Sequence, residues 1–397
     1  MSTTASAAGP TRSSGRHAAL DVARGLAILG TLATNVWVFT DVEGLVGYLG
    51  DRSFDGSAAG WALLGQVLQQ AANGKFLGLL TLLFGIGLEL QRRSALAGGR
   101  PWPGPYPWRA GLLFVDGLVH YLLFAEFDVL MGYAVTGLVV AYLLCTSPRA
   151  QRAWWAGALL VHVTLIGLLT ALLAATDAGL QQQEPLRPNP YADGSFADLV
   201  VFRIENVVLF RLEPVLVLGL TTGLFLLGAQ LLRAGVLEAR GSRLRRRLLL
   251  VGAAAAVPDL ALGLGGGDAG LVFARYVTAP LVAFGLLAAV AELVHRRPST
   301  GPVRAALADV GRTALSCYVL QNVVASVLCY GWGFGLAAAT PAQLRVPMTC
   351  GVYLLVSAVV VVAAREWVRR SGRGPLERLT SAVLRRLVPA TPRAPAA

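Results

Sequence analysis

Charge is scarce in this chain. Only 14% of its 397 residues are charged, and lysine occurs once, as Lys75. An ordinary soluble domain carries roughly 25% charged residues, so a polar shell around one large core is excluded. Sulfur is scarce too: the four cysteines, Cys145, Cys317, Cys329 and Cys350, lie in or beside apolar runs. None forms a metal-ligand pair, and no disulfide framework is visible. Cys329 and Cys350 are the one pair that the expected topology brings near each other. Soluble-enzyme signatures are missing as well: there is no Walker loop, dinucleotide fingerprint, His-Glu-x-x-His or Gly-x-Ser-x-Gly.

What is present is apolar length: 55% of the residues are hydrophobic. Runs long enough to cross a bilayer fall at 18–40, 73–91, 109–125, 127–145, 153–175, 214–233, 247–264, 272–294, 309–330 and 346–368. Spans three and four are nearly contiguous and read as a tight helical hairpin. The stretch 57–72, with Gln66, Gln69 and Gln70 on one side, reads as an interfacial helix. The first apolar run has no small-residue cleavage site and carries Asp21 and Arg24, so it reads as a retained span.

The net charge of +12 comes from arginines placed between apolar runs. The N-terminus, 92–108, 146–152, 234–246, 295–308 and the segment after 364 are arginine-rich, whereas 41–56 and 176–213 are acidic or mixed. This alternation marks topology and not a nucleic-acid surface. The expected fold is an all-α, polytopic transmembrane helix bundle of about ten spans, with both ends in the cytoplasm. Its expected divisions are a tail (1–17), a five-span half (18–175), an extracytoplasmic segment with an interfacial helix (176–213), a second five-span half (214–387) and a disordered tail (388–397). The expected partner is the lipid bilayer, with a homodimer left open.

Polar residues inside spans need a partner or a job. Asp21 and Arg24, three apart, share a helix face; they read as a local ion pair or as a site for an anionic ligand. Asn35 reads as interhelical glue or a hydrogen-bond donor at a site. Asp116 and His120, four apart, share a face, with His120 about 16 Å along its helix from residue 109. After the hairpin turn, Asp128 and Tyr133 return toward the same depth. A histidine within reach of a carboxylate is a candidate general base, and equally a buried polar network. Arg312 opens span nine, with Gln321 and Asn322 deeper along it. Arg275, at the far start of span eight, departs from the charge alternation.

Several motifs share an order. They are Leu20-Asp21-Val-Ala-Arg24-Gly25 with Gly30 and Asn35, Lys75-Phe76, Leu82-Leu-Phe84-Gly85-Ile-Gly87, Gly117-Leu-Val-His120, Asp128-Val-Leu, Tyr133-Ala, Gly311-Arg312-Thr-Ala-Leu-Ser-Cys-Tyr318-Val-Leu-Gln321, and Gly374-Pro375-Leu-Glu377. Together, over about residues 18–387, they resemble the DUF418 (YeiB-like) membrane-protein family. That family is distantly similar to membrane acyltransferases of the heparan acetyltransferase type, through the Leu-Asp-x-x-Arg-Gly opening and Asn35. The resemblance implies transfer of an acyl group from cytoplasmic acyl-CoA, as co-substrate and not as a bound cofactor, to a small-molecule or glycan acceptor. His120, Asp116, Asp128, Asn35 and Tyr133 would form the catalytic group. Arg24, Asp21 and Arg312 would meet acyl-CoA, and Gln321, Asn322 and Arg275 the acceptor. The loop 41–56 has no histidine, with Val46 where the heparan enzyme's reactive one would fall, so His120 would take that role. A proton-coupled transporter is the competing reading of the same polar residues. The Ala/Arg/Gly/Leu-rich composition points to a bacterial cell membrane.

The charge alternation makes a direct prediction. Single cysteines introduced in 92–108 and in 234–246 should react with an impermeant maleimide from the same, cytoplasmic, face; labelling from opposite faces contradicts the arrangement.

Overall fold

A computed structural model of the chain describes residues 11–50, 54, 56–176, 185–297 and 301–388. Among these the chain is helical throughout. In order come α1 (Thr11–Phe39), α2 (Gly44–Gly50), α3 (Ala59–Ala72), α4 (Lys75–Ala97), α5 (Tyr106–Leu123), α6 (Leu130–Leu143), α7 (Pro148–Ala175), α8 (Phe196–Glu205) and α9 (Val207–Leu216). Then follow α10 (Leu218–Arg233), α11 (Ser242–Gly265), α12 (Gly267–Phe273), α13 (Ala279–Arg296), α14 (Pro302–Arg312), α15 (Ala314–Cys329), α16 (Leu336–Ala339), α17 (Arg345–Ser371) and α18 (Pro375–Leu387). A π-helical turn, Ala274–Thr278, joins α12 to α13. Proline opens α7, α14 and α18, because the first turn needs no donor there and the ring presets φ.

α1 is the central helix, with Ala23, Ala27, Leu32 and Phe39 nearly inaccessible. It packs on α4, α13, α14, α15 and α17. The glycines of the shared motifs make these contacts close. A methyl group at Gly25 would lie 1.9 Å from the Leu307 carbonyl oxygen, and one at Gly311 would lie 1.8 Å from that of Asp21. Small residues let helix backbones approach where lipid supplies no hydrophobic drive between helices. The outer surface is apolar instead: α7 exposes Leu160, Val161, Leu168 and Leu172, and α17 exposes Leu354, Leu355 and Val362. A continuous exposed apolar band of this kind is covered by lipid, and the molecule is an all-helical membrane bundle.

Six helical stretches are long and apolar enough to cross a membrane, and eight are if the bent pairs α9–α10 and α14–α15 each count as one. Ten crossings would also require the α5–α6 hairpin to span. α6 has 14 residues, about 21 Å at 1.5 Å per residue, against a hydrocarbon core of about 30 Å.

Two expectations change in detail. Span nine does not run straight from residue 309: the chain turns 94° between α14 and α15. Arg312 therefore ends one helix instead of opening a span. The stretch 57–72 forms α3, and a left-handed Gly74, φ 74°, separates it from α4. All four cysteines are free, so Cys329 and Cys350 are not bridged. The tail 389–397 and most of 1–17 lie outside the described residues.

The arginine-rich links meet at one end of the bundle. Glu89, 1% exposed, pairs with Arg93 at 3.0 Å and Arg233 at 2.8 Å, and Arg233 also reaches Gln151 at 2.7 Å. Arg245 pairs with Glu292 at 2.6 Å. The opposite end is closed by the α5–α6 turn, α2, α8 and α9, with Asp41 paired to Arg345.

Candidate functional site

The α5–α6 hairpin builds the site. His120 occupies the last turn of α5, and Asp128 lies just before α6. His120 Nδ1 is 2.9 Å from Asp128 Oδ1, and both side chains are almost wholly buried. Asp128 Oδ2 accepts the Met131 backbone N–H at 3.1 Å, so the carboxylate also caps the start of α6. On the other side of the ring, Asn322 Nδ2 lies 3.0 Å from His120 Nε2. An amide donating to Nε2 places the ring hydrogen on Nδ1, where it is donated to Asp128. Tyr318, one turn before Asn322 on α15, lies with its ring centre 5.1 Å from that of His120.

The expected residues divide at this point. His120, Asp128 and Asn322 come together. Asp116 does not join them: it faces α18, near Thr380 and Glu377, and its Oδ2 is buried without a hydrogen-bond partner among the described residues. A carboxylate one helical turn from His120 points down its own side of α5, while the hairpin returns Asp128 to the ring. Tyr133 is likewise committed elsewhere: its hydroxyl lies 2.6 Å from Thr81 Oγ1 and 3.2 Å from the Leu77 carbonyl. Gln321 donates to Thr31 on α1 at 3.4 Å, which is helix-to-helix glue. Asp21 pairs with Arg312 at 3.5 Å, across the α1–α14 contact, while also lying close enough to Arg24 to act on its charge. Arg24 makes no hydrogen bond to a described residue.

Two cavities approach this network. One, of about 80 Å³, lies toward the end closed by α8 and α9; its walls include Asn35, Asp128, Arg211, Glu213 and Arg275. The other, of about 230 Å³, lies toward the arginine-rich end; its walls include Arg24, Phe84, Gln91 and Leu315. Tyr318 borders both. Asn35, like Arg24, has no hydrogen-bond partner among the described residues.

Arg275 is held at the first cavity by Glu213 Oε1 at 2.9 Å and by Asn73 Oδ1 at 2.8 Å. Behind it lies the chain's single lysine. Lys75 Nζ is 2.5 Å from Asp259 Oδ2, and Asp259 also accepts from Gln70 at 3.1 Å and Thr278 at 3.0 Å. This group ties the α3–α4 junction to the π-helical turn that carries Arg275.

The sequence did not single out the residues that fix the hairpin turn. Arg203 on α8 is 1% exposed; it pairs with Glu126 at 3.2 Å and donates to the carbonyls of Leu122 and Phe124. Arg211 on α9 donates to the carbonyls of Asp128, at 3.0 Å, and Glu126. Tyr191 donates to Glu126 at 2.8 Å. The available signal was an acidic residue in a two-helix turn, matched by arginines inside an otherwise apolar segment.

The fold and site define a class: a helical membrane protein with a buried carboxylate–histidine–amide chain between two cavities. The chain belongs to the DUF418 family. The family model, described as a protein of unknown function, matches residues 231–386. The uncharacterized protein YeiB of Escherichia coli (strain K12) is 30% identical over 353 residues, covering 80% of this chain and 84% of that one. The uncharacterized protein YxaH of Bacillus subtilis (strain 168) is 26% identical over 399 residues, covering 93% and 94%. No solved structure matches.

The clasp predicts an asymmetry in stability. Glu126→Ala leaves Arg203 buried and unpaired and should cost about 3–5 kcal/mol. The double replacement Glu126→Leu with Arg203→Met should cost less than Glu126→Ala alone. Thermal unfolding of the purified protein in detergent measures both.

Proposed function

We propose that the chain is a membrane acyltransferase that takes an acyl group from acyl-CoA at the arginine-rich, cytoplasmic end and passes it to a hydroxyl or amine acceptor entering from the other end. The observation that carries this reading is that Tyr318, packed against the ring of His120, lines both cavities. Transfer between substrates held on opposite sides needs cavities that share a wall. The distant similarity of the Leu20–Gly25 opening to membrane acyltransferases supports it, and both relatives being bacterial supports a place in a bacterial cell membrane.

Arg24 presents unspent donors to the larger cavity, suited to the phosphates of CoA. His120 acts as general base once the acceptor displaces the Asn322 amide from Nε2. The acceptor oxygen or nitrogen bonds to the thioester carbon as its proton passes to Nε2, and Asp128 supports the imidazolium. The C–S bond then breaks, and the CoA thiolate takes the proton back. Asn35 is the donor available for the tetrahedral oxyanion, since the Tyr133 hydroxyl is engaged with Thr81 and Leu77.

CoA at about 100 times its dissociation constant should stabilise the detergent-solubilised protein by about 2.7 kcal/mol. Arg24→Gln should remove that shift, and His120→Gln should keep it while abolishing transfer of labelled acetyl groups. Absence of any CoA effect, with proton-coupled uptake into proteoliposomes, would establish the transporter instead.

A further inference from the structure

The motif Gly374-Pro375-Leu376-Glu377 has no part in the chemistry above, yet its contacts are among the most specific in the molecule. α17 ends at Gly372, whose φ of 68° is the left-handed conformation that terminates a helix. α18 begins at Pro375. Glu377, in its first turn, reaches the N-terminus of α15. Its Oε1 accepts the backbone N–H groups of Leu315 at 2.9 Å and Ser316 at 3.3 Å, and its Oε2 accepts the Ser316 hydroxyl at 2.5 Å. Ser316 Oγ in turn accepts the Leu376 N–H at 3.0 Å. The starts of α15 and α18 therefore cap each other, and one carboxylate serves two helix ends of like partial charge. Beyond this cap, α18 packs against α5 as well as α15. α18 thus holds both helices whose side chains meet at the site: α5 through His120, and α15 through Tyr318 and Asn322.

The other face of α18 is built differently. Arg378, Arg385 and Arg386 are exposed and, at spacings of seven and eight, lie on one face. None has an ion-pair partner among the described residues. Leu379 is 58% exposed and Leu387 42%. Arg369 and Arg370, at the end of α17, pair with Glu366. A basic stripe flanked by exposed leucines, three residues beyond a long apolar helix, has the pattern of a segment drawn to anionic headgroups at the cytoplasmic surface.

We infer that α18 docks on an anionic phospholipid surface and that this docking holds the mutual cap at Glu377, fixing α15 against α5. The partner is an anionic bilayer surface, matched by charge to the arginine stripe and placed by continuity with α17. Without it, α18 lifts, Leu315 and Ser316 lose their cap, and the α15 end that carries Tyr318 and Asn322 loosens. Glu377 is a positioning residue. The inference does not rest on the acyltransferase reading and stands whichever substrate the cavities take.

Hydrogen exchange read by mass spectrometry tests it, with the full chain in nanodiscs of phosphatidylcholine alone or of an equimolar mixture with phosphatidylglycerol. Peptides over 314–318 and 376–387 should exchange several-fold more slowly in the anionic discs, while α7 peptides stay unchanged. Arg378→Gln, Arg385→Gln and Arg386→Gln together should abolish the lipid dependence. In the unmodified protein, raising the salt concentration should weaken the protection, because screening acts on surface charge. Equal exchange in both lipids, or protection indifferent to salt, would overturn the inference.

Discussion

The constraint on which the site depends is the burial of Glu126 in the α5–α6 turn. A two-helix turn leaves carbonyls and an acidic side chain without intrahelical partners, and here it is packed away from water. Arg203, Arg211 and Tyr191 supply the missing donors. A buried ion pair of this kind gains little over an apolar substitute, but losing one member costs several kcal/mol. Its effect is geometric: the turn has one conformation, Asp128 has one position, and the His120 ring has one orientation. α8 and α9 therefore act as a clamp on the hairpin as well as a link between the two halves.

The same rule separates polar groups that use each other from those that do not. Lys75 and Asp259, Glu89 and Arg233, Arg275 and Glu213, and Asp21 and Arg312 all use each other. Arg24 and Asn35 stand apart: each lines a cavity with no hydrogen bond to a described residue. They lie on the same helix, α1, facing cavities toward opposite ends of the bundle. Among the described residues, Tyr318 is the one that lines both.

Much of this was legible in the chain itself. Apolar run length gave the helices, and the sequence placed His120 near two candidate carboxylates, Asp116 and Asp128, without choosing between them. The glycines of the shared motifs were visible, although their work is backbone approach and not chemistry. What pattern could not supply was the choice of partner. Asp116 and Asp128 are both near His120 in sequence, and only the direction of the returning helix decides between them. Asp21 sits three residues from Arg24 but finds Arg312 across a helix contact. The break at Thr313 falls inside an unbroken motif, where the mutual capping of Ser316 and Glu377 accompanies the turn. The clasp joins residues far apart in the chain, and charge counting passed over its arginines within a loop of mixed charge.

The central claim is that the clasp from α8 fixes the position of Asp128 beside His120. A double-mutant cycle on thermal stability, combining Arg203→Met with Asp128→Asn, tests it most directly. Arg203 touches neither Asp128 nor His120 in any hydrogen bond described above, so independent effects would add within about 0.5 kcal/mol. The account predicts a coupling above about 1 kcal/mol, with Asp128→Asn costing much less once Arg203 is gone. Simple additivity would mean that the turn keeps its shape without the clasp, and the account would be wrong.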